Sequence, residues 1–235
     1  MPTFDEASFS IETFCGTARL FPLPNLVLFP YVMQPLHIFE PRYRALLEDA
    51  LAGDGLIAMA LLAPGWQKDY EGRPPVYPTA CLGRITAHFR LADGTYNVLL
   101  LGLRRVRIVR ELAPSRHFRQ AQVDICEEVQ PAHQAARQSA LQQALREALV
   151  RILPLLPEAR EQLDQLLGDD VPLGMLTDIV GYMLDLELAE KHALLTEVDV
   201  HRRAELLLEH LSRAAVDLAP TDSAALCFPP HFSHN

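Results

Sequence analysis

The apolar residues of this 235-residue chain change their spacing near Gln130, and that change constrains the fold more than any single motif does. Up to about Glu128 they come in short runs rich in β-branched and aromatic types, punctuated by proline and glycine, which is strand and turn chemistry. Beyond Gln130 they recur at helical spacing. Strands first and helices after predict an α+β fold, not an alternating parallel one.

The clearest strand signal lies between Cys81 and Gly102. Two runs, CLGRITAHFRL and TYNVLLLG, meet at Ala92-Asp93-Gly94, where Asp-Gly supplies the positive φ that a tight hairpin needs. A third strand is predicted over Arg105–Arg110, with Val106 and Ile108 alternating with Arg105 and Arg107. A fourth sets Ala121, Val123 and Ile125 against Gln120, Gln122 and Asp124. Successive antiparallel strands favour a barrel-like or strongly curved sheet, because closure hides unpaired edges. Upstream, Leu20 to Arg44 reads as strands LFPLP, VLFP and MQPLHIF. A helix opening at Pro41 follows, with Tyr43, Leu46, Leu47, Ala50 and Leu51 on its apolar face. Residues 63–80, APGWQKDYEGRPPVYPTA, read as a long surface loop carrying Trp66, Tyr70 and Tyr77.

In the second half Leu141, Leu145, Leu149 and Ile152 form one stripe, with Ala144 and Ala148 beside it, until Pro154 and Pro157 interrupt. Asp170 and Asp199 stand where N-caps would open further helices. In the last helix Ala204, Leu207, Leu208 and Leu211 face one way and Arg203, Glu205 and Glu209 the other. The expected division is an extension at 1–17, a strand-rich unit with one helix at 18–130, a helical bundle at 131–216 and a mobile tail at 217–235.

With 49% hydrophobic and 22% charged residues the chain has the balance of a folded protein. Its start, MPTFDEASFSIETF, lacks the basic n-region of a secretory signal, and every apolar run is broken before about 20 residues. A cytoplasmic protein with no membrane partner is expected. The net charge of −9 opposes phosphate backbones, so nucleic acid is not the expected partner. The arginines Arg104, Arg105, Arg107 and Arg110, followed by Arg116 and Arg119, are a local exception that reads first as a solvated strand face. Cys15, Cys81, Cys126 and Cys227 are too scattered for a disulfide framework and read as buried free thiols.

Catalytic patterns are missing. There is no Gly-Lys pair for a P-loop, no G-x-S-x-G and no H-E-x-x-H, and only Lys68 and Lys191 are present to serve a Ser-Lys dyad. Cys227, His231 and His234 have metal-ligand types but no convincing fourth ligand. His37 beside Glu40 suggests an acid–base pair, with no nucleophile in evident reach. No enzyme, cofactor or metal is expected.

The run Leu20–Arg44, the segment GRITAHFRLADGTYNVLLLGLRRVRIV and the helical stretch DVPLGMLTDIVGYMLDLELAEKHALLTEVDVHRRAELLLEHL together resemble the amino-terminal substrate-binding domain of Lon proteases. They are most similar to free-standing bacterial proteins made of that domain alone. The likeness runs from about Ala18 to Ala214, with Asp93-Gly94 at the hairpin turn and Gly102-Leu103-Arg104-Arg105 at the next corner. It implies a PUA-like antiparallel β-barrel followed by a helical bundle, and recognition of unfolded or flexible polypeptides, with a protease or chaperone as a further partner. The AAA+ ATPase and Ser-Lys protease parts of Lon have no counterpart in this sequence, so the resemblance implies no proteolytic activity. Candidate peptide contacts are Trp66, Tyr70 and Tyr77, with Phe29, Tyr31 and Met33 as groove lining. The alternatives are an RNA-binding module using Arg104, Arg105, Arg107 and Arg110, or a small-molecule-binding module.

Overall fold

The computed structural model describes residues 14–130, 134–152, 171–217 and 233–234. Its strands are β1 (Thr17–Leu23), β2 (Met33–Ile38), β3 (Leu56–Leu62), β4 (Val76–Arg90), β5 (Tyr96–Glu111), β6 (Arg119–Ile125) and the short β7 (Ser233–His234). Its α-helices are α1 (Pro41–Leu51), α2 (Ala135–Ile152), α3 (Leu173–Met183), α4 (Leu188–Thr196) and α5 (Val200–Asp217). The α+β class is met. The strand order is β4-β3-β1-β6-β5-β2-β7, and β4 also pairs with β5. Five strands therefore return on themselves, but β1 and β3 run parallel and β2 hangs outside the ring with β7. The expected antiparallel barrel is corrected to a mixed sheet that curls into a ring at one end and stays open at the other.

Side-chain size explains the ring. Leu56, Ala58 and Ala60 of β3 point inward with Ala18, Ala80, Leu82, Val106, Ala121 and Val123. Alternate residues Ile57, Met59 and Leu61 point outward into a second, larger core. So many alanines let five strands close tightly, because small interior side chains fit a narrow lumen. Buried on both faces, β3 is apolar throughout, and its unbroken LIAMALL carries no alternation from which a strand could be read.

The larger core joins both halves: Phe21, Phe29 and Leu100 share it with Leu145, Leu176, Val180, Leu194 and Leu207 from α2 to α5. The stripe Leu145 and Leu149 is buried as its spacing predicts. Asp199 Oδ1 accepts from the N–H groups of His201 and Arg202 at 2.9 and 3.1 Å, the N-cap expected of it. Asp170, Cys227 and His231 lie outside the described residues.

Several local expectations need correction. Residues 27–30 are buried but form no strand, and the segment 63–80 contains a 3₁₀ turn at Trp66–Asp69 and the start of β4, which takes in Tyr77. The third strand continues the second, both within β5. The corner at Gly102 is a bulge in it: Leu82 opposes Arg104 and Gly83 opposes Gly102, which leaves Leu103 without a β4 partner and bends the strand. Cys81 is buried, whereas Cys15 is exposed and Cys126 lies between. Arg203 is fully buried, although helical spacing puts it opposite the leucines.

Candidate functional site

Past the bulge, β5 leaves the ring and its first half is flanked by β4 on one side and β2 on the other. This three-stranded flap has two unlike faces. Gln34, Leu36, Ile38, Tyr96, Val98 and Leu100 are buried on one, where Leu36, Ile38, Tyr96, Val98 and Leu100 share the larger core with Tyr43, Leu46 and Leu47 of α1. The opposite face has no cover among the described residues. Cross-strand register builds it in rows: Phe89, Asn97 and His37; then Ala87, Leu99 and Pro35; then Arg84, Leu101 and Met33.

Exposure on that face is high for its residue types. Phe89 is 66% exposed, Met33 49%, Phe39 42% and Leu99 37%. Phe39 stacks on His37 with ring centroids 6.1 Å apart, which extends the face past the end of β2. His37 Nδ1 lies 2.9 Å from Asn97 Oδ1, the one polar pair in the middle of the surface. Glu40 instead takes hydrogen bonds from Arg42 Nε (2.9 Å) and the Tyr70 hydroxyl (2.7 Å), so His37 and Glu40 do not form the acid–base pair their spacing suggests.

The six candidate contact residues do not gather at one place. Phe29 is fully buried in the core, and only Met33 of its group reaches the exposed face. Tyr31 adopts a left-handed φ of 63° beside it, with its N–H donating to the Gly102 carbonyl at 2.8 Å. Trp66 packs edge-on against Tyr70, with centroids 5.4 Å apart, and Arg42 lies over the Tyr70 ring. Burial and the bond to Glu40 raise the Tyr70 phenol above its ordinary pKa. Tyr77 packs against His192 of α4 at 4.3 Å, and His192 Nε2 faces the Thr79 carbonyl at 3.2 Å; burial lowers its pKa and favours the neutral imidazole. Tyr70 and Tyr77 thus join helices and strands together.

Beside Tyr70 a cavity of about 240 Å³ is lined by Tyr43, Phe118 and the arginines Arg42, Arg73, Arg116 and Arg119. Their charge is already answered. Arg42 pairs with Glu40, Arg119 with Glu111 and Arg116 with Asp49, while Arg73 donates to the Leu112 carbonyl. An anionic ligand would have to break these pairs, so the cleft is a latch for the 66–75 segment.

The arginine run dissolves in the same way. Arg105, read as part of a solvated face and as an RNA contact, is buried and donates to both Asp178 carboxylate oxygens, to Glu128 and to the Leu195 carbonyl. Arg203 approaches the same Asp178 and Glu128 and donates to the Thr177 hydroxyl at 2.8 Å. Burial works against the Arg105 charge, but Asp178 outweighs it and holds the guanidinium pKa above its ordinary value. Burial also pushes the Asp178 carboxyl up, against the pull of both guanidiniums. Of the other three, Arg104 donates to the Leu103 carbonyl at 3.0 Å, Arg107 is neutralised by Asp124 and Arg110 bonds to Gln122. Buried, Arg105 does not join Arg104, Arg107 and Arg110 in one solvent-facing basic stripe of the kind an RNA interface uses.

Residues 17–213 match the family model of the ATP-dependent protease La (LON) substrate-binding domain. The chain belongs to the Lon substrate-binding domain family. Lon protease 2 of Myxococcus xanthus is 28% identical over 196 residues, covering 83% of this chain and 23% of that protein. The Lon protease of Dictyoglomus thermophilum is 26% identical over 197 residues, covering 24% of its length. The chain therefore spans about a quarter of these relatives. Among solved structures, the Lon N-terminal domain protein from Xanthomonas campestris aligns over 82% of this chain and 97% of that one, with a TM-score of 0.57 and 25% identity. The N-terminal domain of Mycobacterium avium complex Lon protease aligns over 83% and 98%, with a TM-score of 0.66 and 22% identity. Membership of this family points to substrate recognition as the role of the fold. Among the described residues no helix is long and apolar enough to cross a membrane.

Proposed function

We propose that this chain is a non-enzymatic, cytoplasmic polypeptide-binding module, and that the open face of the β4–β5–β2 flap is where it holds unfolded or flexible clients. The observation that carries this is the grouping of exposed apolar side chains. Eight large apolar residues are exposed among the described residues, and four of them, Met33, Phe39, Phe89 and Leu99, fall on this one face. Scattered singly they would need no explanation, whereas a contiguous patch on a sheet otherwise packed by α1 marks an interaction surface. Strands β1 to β5 and helices α2 to α5 share one core behind the flap. A client held there would pass to a separate protease or chaperone.

An extended client burying apolar side chains here gains about 25 cal/mol per Å² of area removed from water. Phe89→Ser/Leu99→Ser should therefore weaken binding of reduced, carboxymethylated lactalbumin by about 10- to 100-fold, as loss of two central contacts does. Both side chains are solvent-exposed, so the thermal midpoint should stay put. Fluorescence anisotropy and a thermal melt check the two halves of the prediction; unchanged affinity with an unchanged melt would sink it. RNA binding is not favoured, because Arg105 and Arg203 spend their charge inside the protein.

A further inference from the structure

The outer edge of β2 is not bare, since β7 pairs with it in parallel, Leu36 opposite Ser233 and His37 opposite His234. We propose that this edge is a strand-accepting site whose resident occupant is the chain's own 227–235 segment, and that a bound polypeptide must displace it. The competition rests on the polypeptide-binding reading above; the seating of the segment does not.

Backbone parity fixes what the edge offers. The Val32 carbonyl accepts from the Gly102 N–H at 2.8 Å, so residue 32 faces β5. Alternation then turns Gln34, Leu36 and Ile38 toward β5 and leaves Met33, Pro35 and His37 facing outward. Pro35 has no N–H, so the middle of the edge offers a carbonyl alone, the usual position for a proline in an edge strand. A parallel neighbour in the observed register directs its Ser233 N–H at the Pro35 carbonyl and receives the His37 N–H at its Ser233 carbonyl. Farther toward Met33 the edge offers no donor at Pro35.

Composition supports the same occupant. Residues 227–235, CFPPHFSHN, contain two phenylalanines, two prolines and no Asp, Glu, Lys or Arg. That is an uncharged, extended-prone, aromatic sequence, the chemistry suited to the exposed face that shares β2 with this edge. A strand added there lies beside Met33, His37 and Phe39, so edge and face would be read by one ligand: backbone by the edge, side chains by the face.

The test uses the full chain. Ser233→Pro removes the N–H directed at Pro35, while Ser233→Ala keeps it. Amide hydrogen exchange at His37 should quicken about tenfold in Ser233→Pro and not in Ser233→Ala, because no other described strand covers that N–H. Carboxymethylated lactalbumin should bind Ser233→Pro about fivefold more tightly than the parent, as expected when a competing state is depopulated. A synthetic 227–235 peptide should reverse that gain. Unchanged His37 exchange overturns the seating; quickened exchange with unchanged affinity overturns the competition and leaves the segment as an edge cover only. If neither protein binds the probe, the polypeptide-binding reading fails and the competition with it, while His37 exchange still decides the seat.

Discussion

Asp178→Ala should destabilise the protein by about 3–5 kcal/mol, the cost of removing one member of a buried charge pair. Asp178 is wholly buried and faces two guanidiniums that are themselves buried, Arg105 on β5 and Arg203 on α5. Without it, both keep Glu128, whose side chain is 26% exposed, as their carboxylate. Two positive charges would then share one partly solvated negative charge. In a chain of this size the thermal midpoint should fall by roughly 6–20 °C. Replacing the cluster together, as Arg105→Met/Asp178→Leu/Arg203→Leu, should restore much of the loss, because apolar side chains of similar volume do not need the pairing. Urea denaturation reads both variants. A loss below about 1 kcal/mol for Asp178→Ala would mean that water reaches the cluster and that it is not the joint between strands and helices.

Gly102→Ala is the second large effect. A Cβ built there would lie 2.0 Å from the Phe29 carbonyl oxygen and 2.8 Å from its carbon. Both are backbone atoms, so no rotamer change relieves the contact. The Tyr31 N–H to Gly102 carbonyl and Gly102 N–H to Val32 carbonyl bonds, each 2.8 Å, hold the two segments together at this point. The 29–32 segment must move by about 1 Å, at a cost of about 3 kcal/mol, the upper end of ordinary overpacking. Met33 follows directly, so the variant should also lose client affinity. A Gly102→Ala protein with the parent's urea midpoint would contradict this close crossing.

Local chemistry made some of this legible from sequence. The Asp93-Gly94 turn, with Gly94 at φ 82°, the Pro41 start of α1 and the Asp199 cap all depend on neighbours within a few residues. Arg203 was illegible because helical spacing assigns it to the polar side. Its burial comes from Asp178, Glu128 and Thr177, which lie at least 25 residues away in sequence. The flap face was hidden for a different reason. Leu99 stands in an unbroken Leu99-Leu100-Leu101 run, so alternation cannot say which leucine faces out. Phe89 and Met33 look like core residues by type, and only the position of α1 beneath one side of the flap leaves them exposed. The contacts of the loop aromatics were equally hidden, because the partners of Tyr70 and Tyr77, Glu40 and His192, lie 30 or more residues away in sequence.

The most direct test of the flap as the client surface is site-specific photo-crosslinking. p-Benzoylphenylalanine placed in turn at positions 33, 89, 99, 66 and 107 would be irradiated with carboxymethylated lactalbumin, and the crosslinked product quantified by gel. Strong products from positions 33, 89 and 99, with background levels from 66 and 107, are the predicted result. Capture centred on position 66 with none from 89 or 99 would contradict the account and return recognition to the 66–70 turn.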